Sequence, residues 1–208
     1  MKILIVSATT LEIAPFTALN IDVEILITGV GAPACMYMLT KQLQNNTYDF
    51  VIQAGIAGTF KNNFALANTF IVSQDLFADL GISENEMFYT LFETGFADAN
   101  ILPYNNGWLV NDGLIQVGLP AAKSITVNTV SDSFDIAEMY KRKFDADIES
   151  MEGAAFHYVC LQEKIPFLQL RSISNFVGER SKTNWKIKEA IESLNDNLKK
   201  IVETLLEN

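Results

Sequence analysis

Six short apolar runs, at positions 3–6, 23–27, 50–54, 70–73, 125–127 and 167–170, constrain this chain more than any other feature. Most contain β-branched residues, and none shows the polar–apolar alternation of a strand with one wet face. Such runs predict strands buried on both sides. Strands of that kind pair largely in parallel and need crossover connections, and helical patterns do lie between them, at 34–43 and at 153–163. The clearest pattern is the last. From 185 to 206 the apolar positions Ile187, Ile191, Leu194, Leu198, Ile201, Val202 and Leu205 recur at spacings of three and four, which predicts an amphipathic helix packed on a sheet. Alternating strand and helix signals indicate an α/β class. With 208 residues, 49% of them hydrophobic, and no repeat or linker-like tract, the expectation is one domain over residues 1–208. Asn, Gly and acidic residues break the periodicity between 77 and 114, which reads as loops and irregular strands bordering a site or an interface.

Composition narrows the partners. A formal net charge of −10 opposes binding to a nucleic-acid backbone, where Lys and Arg must displace phosphate counterions, so a small-molecule ligand is expected. Cys35 and Cys160 each fall in an apolar helical pattern, without the spacing of a metal site or a disulfide framework, and read as buried thiols in a reducing compartment. The start lacks the features of a signal peptide, and no apolar stretch approaches the roughly 20 residues of a spanning helix. The expected place is therefore the cytoplasm, with no membrane partner.

In open α/β sheets ligands bind beyond the carboxyl ends of strands, so the residues after each buried run are the ones that can carry chemistry. Past the first run comes Ser7-Ala8-Thr9-Thr10-Leu11-Glu12. Glu12 is either a site carboxylate or an acid favoured by the macrodipole in a helix first turn. Two later runs are followed by the turns Thr28-Gly29-Val30-Gly31 and Gly55-Ile56-Ala57-Gly58. Their glycines allow tight turns and close ligand approach, but neither turn matches a dinucleotide or P-loop motif. Farther on stand Glu149-Ser150-Met151-Glu152-Gly153-Ala154-Ala155 and a strand end Arg171-Ser172-Ile173-Ser174-Asn175. Glu152, beside apolar neighbours, needs hydrogen-bonding partners, and a ribose diol would serve. Asn175, past a buried strand, reads equally as a site residue or as an Asx turn or helix cap. His157, the only histidine, falls inside a helix with no metal-ligand cluster around it, and reads as a helix-face or interface residue.

Taken in order, Glu12, the GVG and GIAG turns, the SMEGAA segment and the RSISN strand end resemble the nucleoside phosphorylase and nucleosidase superfamily over nearly the whole chain. They are most similar to the branch of methylthioadenosine/S-adenosylhomocysteine nucleosidases and futalosine hydrolases. The run Ser174-Asn175-Phe176-Val177-Gly178-Glu179-Arg180, continuing through Trp185-Lys186-Ile187-Lys188-Glu189-Ala190, is similar to the futalosine hydrolases in particular. The resemblance implies a three-layer α/β/α fold around a mixed sheet, N-glycosidic hydrolysis without cofactor or metal, and a homo-oligomer. By the same resemblance Glu12 activates the attacking water, Glu152 accepts from the ribose hydroxyls with Met151 against the sugar, and Gly55, Ala57 and Gly58 line the sugar side. Asn175 would face the purine N7 edge. These are the parts that an oxocarbenium-like transition state requires.

One departure bears on the substrate. Adenine-cleaving relatives carry aspartate where this chain has Asn175. An amide NH₂ donates to both N7 and O6 of a 6-oxopurine, so hypoxanthine or guanine suits Asn175 better than adenine, and futalosine, a metabolite of menaquinone biosynthesis, carries hypoxanthine. Phosphorylases of the superfamily hold phosphate with arginines at the two glycine turns. Here the arginines are Arg142, Arg171 and Arg180, none within a glycine turn, so water is the expected nucleophile. Lys61 could stand in for an arginine only as a point charge. Arg180 could pair with the benzoate of futalosine or lie on a surface loop. The alternatives that stay open are a methylthioadenosine/S-adenosylhomocysteine nucleosidase, a 6-oxopurine phosphorylase and a non-catalytic nucleoside binder, which would have no need of Glu12.

Overall fold

The computed structural model describes every residue except Glu86, Ser131, Asp132, Arg180 and Asn208. The first strand, β1 (Ile3–Ser7), is buried along its whole length and pairs in parallel with β2 (Glu24–Ile27) on one side and β3 (Phe50–Thr59) on the other. Beyond β3 come β4 (Thr69–Asp75), β8 (Ala121–Thr126), β9 (Ile148–Ser150) and β10 (Phe167–Phe176). Among the described residues these strands and the short β7 (Leu109–Val110) form one eight-stranded sheet in the order β10-β4-β8-β9-β3-β1-β2, with β7 on β4. Since β10 also pairs with β3, the strands β3, β10, β4, β8 and β9 close a circuit. The sheet is mixed: β10–β4, β3–β9 and β4–β7 run antiparallel and the other pairs parallel. This is the mixed α/β class that the strand runs and the resemblance imply.

Helices cover both faces. On one side α1 (Thr10–Thr17) and α5 (Ile187–Glu207) pack on β1, β3 and β10, burying Ile13, Phe16, Leu194, Leu198, Ile201 and Val202 with Ile5, Ile52 and Leu170. On the other, α2 (Ala32–Asn45) and α4 (Gly153–Glu163) cover Leu4, Val6 and Val51. Each fully buried Leu or Ile contributes roughly 1.5–3 kcal/mol relative to exposure, so the α5 stripe alone fixes that helix on the sheet. Both cysteines are free and buried, inside the α2–α4 layer. Among the described residues no helix is long and apolar enough to cross a membrane.

Two expectations are corrected. The Gly55–Gly58 segment is not a turn, because β3 runs straight through it to Thr59, paired with β10 as far as Phe176. Likewise β10 continues through Arg171–Asn175, with a register shift between Ile173 and Asn175. Two strands that pair side by side satisfy each other's backbone groups, so small residues there serve close approach rather than chain reversal. Residues 77–114 are loops and short strands, as expected. They hold a hairpin of β5 (Gly81–Glu84) and β6 (Met87–Thr90) outside the main sheet. Their aromatic residues Phe77, Phe92, Tyr104 and Trp108 line a hollow of about 250 Å³ away from the strand ends discussed below. Two elements escape sequence patterning altogether: β9, only three residues long, and α3 (Phe134–Phe144), which buries only Ala137 and Tyr140 and leaves Phe134 exposed.

Candidate active site

A cleft of about 300 Å³ opens where β1, β3, β9 and β10 end. It is lined by Glu12, Ala57, Gly58, Met151, Glu152 and Asn175, all singled out from sequence, and also by Glu149, Ser174, Trp185 and Ile191. Gly55 is not among its lining residues, and Arg180 lies outside the described residues.

Glu12 is held by the local start of α1. Thr9 caps the helix, its hydroxyl accepting from Glu12 N, while Glu12 Oε2 accepts from Thr9 N at 3.1 Å and Thr9 Oγ1 at 2.9 Å. This reciprocal capping box makes Glu12 the first-turn acid that its position allows. It is more than that, because Oε1 reaches across to accept from Ile56 N of β3 at 3.1 Å. The helix itself is pinned from α5, where Asn195 accepts from Phe16 N at 3.0 Å and donates to Glu12 O at 2.8 Å. A buried Asn inside the apolar stripe of α5 is the sequence signal for this contact.

Glu152 stands at the N-cap of α4. Its Oε1 accepts from Gly31 N at 2.9 Å, and Gly31 has φ +97° and ψ 154°, a backbone state that L side chains rarely adopt. The first glycine turn therefore aims an amide at this carboxylate. On the other side Oε2 lies 3.7 Å from Arg171 Nη1. Burial pushes the Glu152 carboxyl above its usual range, opposed by Arg171 and the Gly31 amide, with Glu12 adding to the upward shift.

Arg171, 1% exposed, is the largest fully buried side chain. Its Nη2 donates to Gln53 Oε1 at 2.9 Å, and Nη1 occupies the space that a Cβ on Gly55 would take, at 2.2 Å. The same Cβ would stand 3.1 Å from Glu12 Oε1. Gly55 thus makes room for a guanidinium behind the two carboxylates rather than facing a ligand. A charged residue inside an otherwise buried strand run is the signal that marks Arg171, since an ion is buried only with partners.

Asn175 donates from Nδ2 to Phe176 O at 3.0 Å, and its Oδ1 accepts from Ser174 Oγ at 2.8 Å. One N–H of the amide, together with the second lone pair of its carbonyl oxygen, is left for a ligand. That NH₂ lies beside Gly58, where a Cβ would come within 3.3 Å of it. His157, by contrast, is outside the cleft: it is fully buried, its Nδ1 contacts Leu109 O at 3.0 Å, and burial lowers its pKa to about 4.

The phosphorylase superfamily model matches residues 15–207. The chain belongs to this superfamily. Within the superfamily it is 30% identical over 176 residues to the futalosine hydrolase of Thermus thermophilus, covering 81% of this chain and 76% of that protein. It is 26% identical over 172 residues to the 5'-methylthioadenosine/S-adenosylhomocysteine nucleosidase of Colwellia psychrerythraea, covering 77% and 71%. The fold matches the native structure of futalosine hydrolase of Helicobacter pylori, with a TM-score of 0.83, 18% identity and 98% of both chains covered. In the phosphorylase superfamily model the matched residues include every lining side chain named above except Glu12.

Proposed function

We propose that this chain hydrolyses the N-glycosidic bond of a 6-oxopurine nucleoside, and that futalosine is its substrate, releasing hypoxanthine within menaquinone biosynthesis in the cytoplasm. The observation that carries the reading is the meeting of Glu12, Glu152 and the Asn175 amide in one cleft. In this reading Glu12 takes a proton from water as it attacks C1′. Glu152 accepts from the ribose hydroxyls, and Met151 packs on the sugar. The Asn175 N–H that Phe176 O leaves free donates to the N7/O6 edge as negative charge develops on the leaving base, the kind of positioned donor that favours departure. The relatives named as futalosine hydrolases support this choice.

Water is preferred over phosphate as nucleophile for a physical reason. Among the described residues the cleft is lined by carboxylates and uncharged groups with no Lys or Arg, and Arg171 is buried behind Gly55 on Gln53 and Glu152. Lys61, the other cation considered for an anion, pairs with Asp145 and Asp147 at 3.4 Å each. The test is purine release from futalosine, inosine, methylthioadenosine and S-adenosylhomocysteine, each with and without phosphate. Hypoxanthine release from futalosine without phosphate supports the proposal. Preference for methylthioadenosine overturns the reading of Asn175, strict phosphate dependence indicates a phosphorylase, and no release indicates a binder. A homo-oligomer is part of the proposal, because residues 77–114 expose Met87, Phe96, Ile101 and Leu102; light scattering on the intact chain measures it.

A further inference from the structure

The cleft holds a third carboxylate that the scheme above does not use. Glu149, on β9, is 5% exposed and lines the cleft. Its Oε2 is buried and has no hydrogen-bond partner among the described residues. A buried acceptor without a donor is a costly arrangement, and one that lines a cavity is relieved when a ligand brings the donor.

Strand register says where that donor would be. Gly58 of β3 is the partner of Glu149 on β9 and of Asn175 on β10. Directly paired residues project to the same face of a sheet, and paired Cα atoms are about 5 Å apart. Glu149 and Asn175 therefore stand on either side of Gly58, about 10 Å apart, while Val177 Cγ2 closes over Gly58 itself, 2.9 Å from where a Cβ would sit. A base bound in the cleft, which both residues line, can turn one edge toward each. Asn175 presents an N–H, and Glu149 presents an acceptor.

We propose that Glu149 is a specificity-determining residue, whose carboxylate accepts a hydrogen bond from N1–H of a 6-oxopurine base bound in the cleft between Glu149 and Asn175. The inference rests on the 6-oxopurine reading and deepens it. A 6-oxopurine carries a hydrogen on N1, whereas a 6-aminopurine presents a lone pair there, which a carboxylate oxygen repels. The two sides of Gly58 then select the same base class: the amide of Asn175 by its donor, Glu149 by its acceptor. Burial, with Asp79 nearby, pushes the Glu149 carboxyl up to about 7, as expected for an acid that still lacks the donor its charged form needs.

The test is calorimetric binding at pH 8 of hypoxanthine, 1-methylhypoxanthine and adenine to the intact chain and to Glu149→Gln and Glu149→Ala. Wild type is expected to bind hypoxanthine at least about tenfold tighter than 1-methylhypoxanthine, since losing a buried pairing carries a penalty of that order. In Glu149→Ala that ratio falls to near unity, and an unchanged ratio overturns the proposal. Should Glu149→Ala fail to fold, Glu149→Gln decides, because its amide can donate to N1 of adenine and so lowers the hypoxanthine-to-adenine ratio. An unchanged ratio there is equally fatal, as is wild type that does not bind hypoxanthine. Purine release by wild type is scored separately: no release alongside an intact N1 ratio removes the hydrolase and leaves Glu149 as the reader of the base.

Discussion

Two clusters of buried polar groups lie a strand or two apart, and only one faces a cleft. The first is Glu12, Glu149, Glu152, Arg171 and Asn175. The second lies beneath α4, where Asp75 Oδ1 accepts from Leu76 N at 2.8 Å and Thr126 Oγ1 at 3.0 Å, and Oδ2 from Gln169 Nε2 at 3.3 Å. His157 is nearby, and Gly153 lets the helix start press so close that a Cβ would fall 2.1 Å from Asp75 Oδ2. Titration is displaced in both: burial moves Asp75 up to about 6 and His157 down to about 4, just as it raises Glu149 to about 7. The difference is access. In the sealed cluster the protein itself occupies the space a ligand would need, so displaced titration there reports packing, whereas in the cleft it accompanies groups that a ligand can reach.

The comparison can be broken by substitution. Glu12→Gln should lower the rate of purine release by about 10²–10⁴-fold, the range for loss of a general base. Its melting temperature should shift by only a few degrees, reflecting a capping contribution of about 1 kcal/mol. A rate within a few-fold of wild type would remove Glu12 from the chemistry. Glu152→Ala should act on both properties, because it takes the proposed ribose acceptor and leaves Arg171 buried without its counter-charge. A loss of about 3–5 kcal/mol in denaturant melts is expected, together with weaker substrate binding.

The sealed cluster should respond in stability alone. His157 has a folded-state pKa of about 4 against an unfolded value of about 6.5, so the unfolded chain takes up the proton first and stability is lost as pH falls from 6.5 to 4. The loss attributable to His157 is about 3 kcal/mol. Because Asp75 and Glu149 titrate in the same range with the opposite sign, the increment is read as a difference: on going from pH 7 to pH 4 in urea melts, wild type should lose about 3 kcal/mol more, or gain that much less, than His157→Asn, and equal pH slopes would mean the imidazole is not sealed. The smallest effect is expected for Asp75→Asn, about 1–3 kcal/mol from disturbed hydrogen bonds. Purine release per folded molecule should hold at the wild-type rate, and a fall of tenfold or more would join the two clusters into one functional unit.

How far the sequence could be read follows from range. The six apolar runs appear as strands because burial on both faces leaves a mark in consecutive residues, and the α5 stripe appears because a helix repeats its buried face every three or four positions. The turn expected at Gly55–Gly58 shows the limit: glycine marks close approach as readily as chain reversal, and here the close neighbour is Arg171, 116 positions away in the chain. Arg171 and Asn195 could each have been flagged as polar residues within apolar patterns, but not paired with Glu152 or Glu12. Glu149 had no such flag, since β9 is too short to carry a pattern.

What the sequence by itself determined is the inventory: buried strands, an amphipathic last helix, an acidic chain, and two glutamates and an asparagine placed just where strands give out. Only the tertiary structure decided which of those groups share a cleft and which carboxylate oxygen is left without a donor. The reason is that strand order and register are long-range choices, made by the packing of the whole sheet. Gly58 lies between Glu149 and Asn175 because β9 and β10 both pair with β3, an arrangement that no local stretch of sequence encodes.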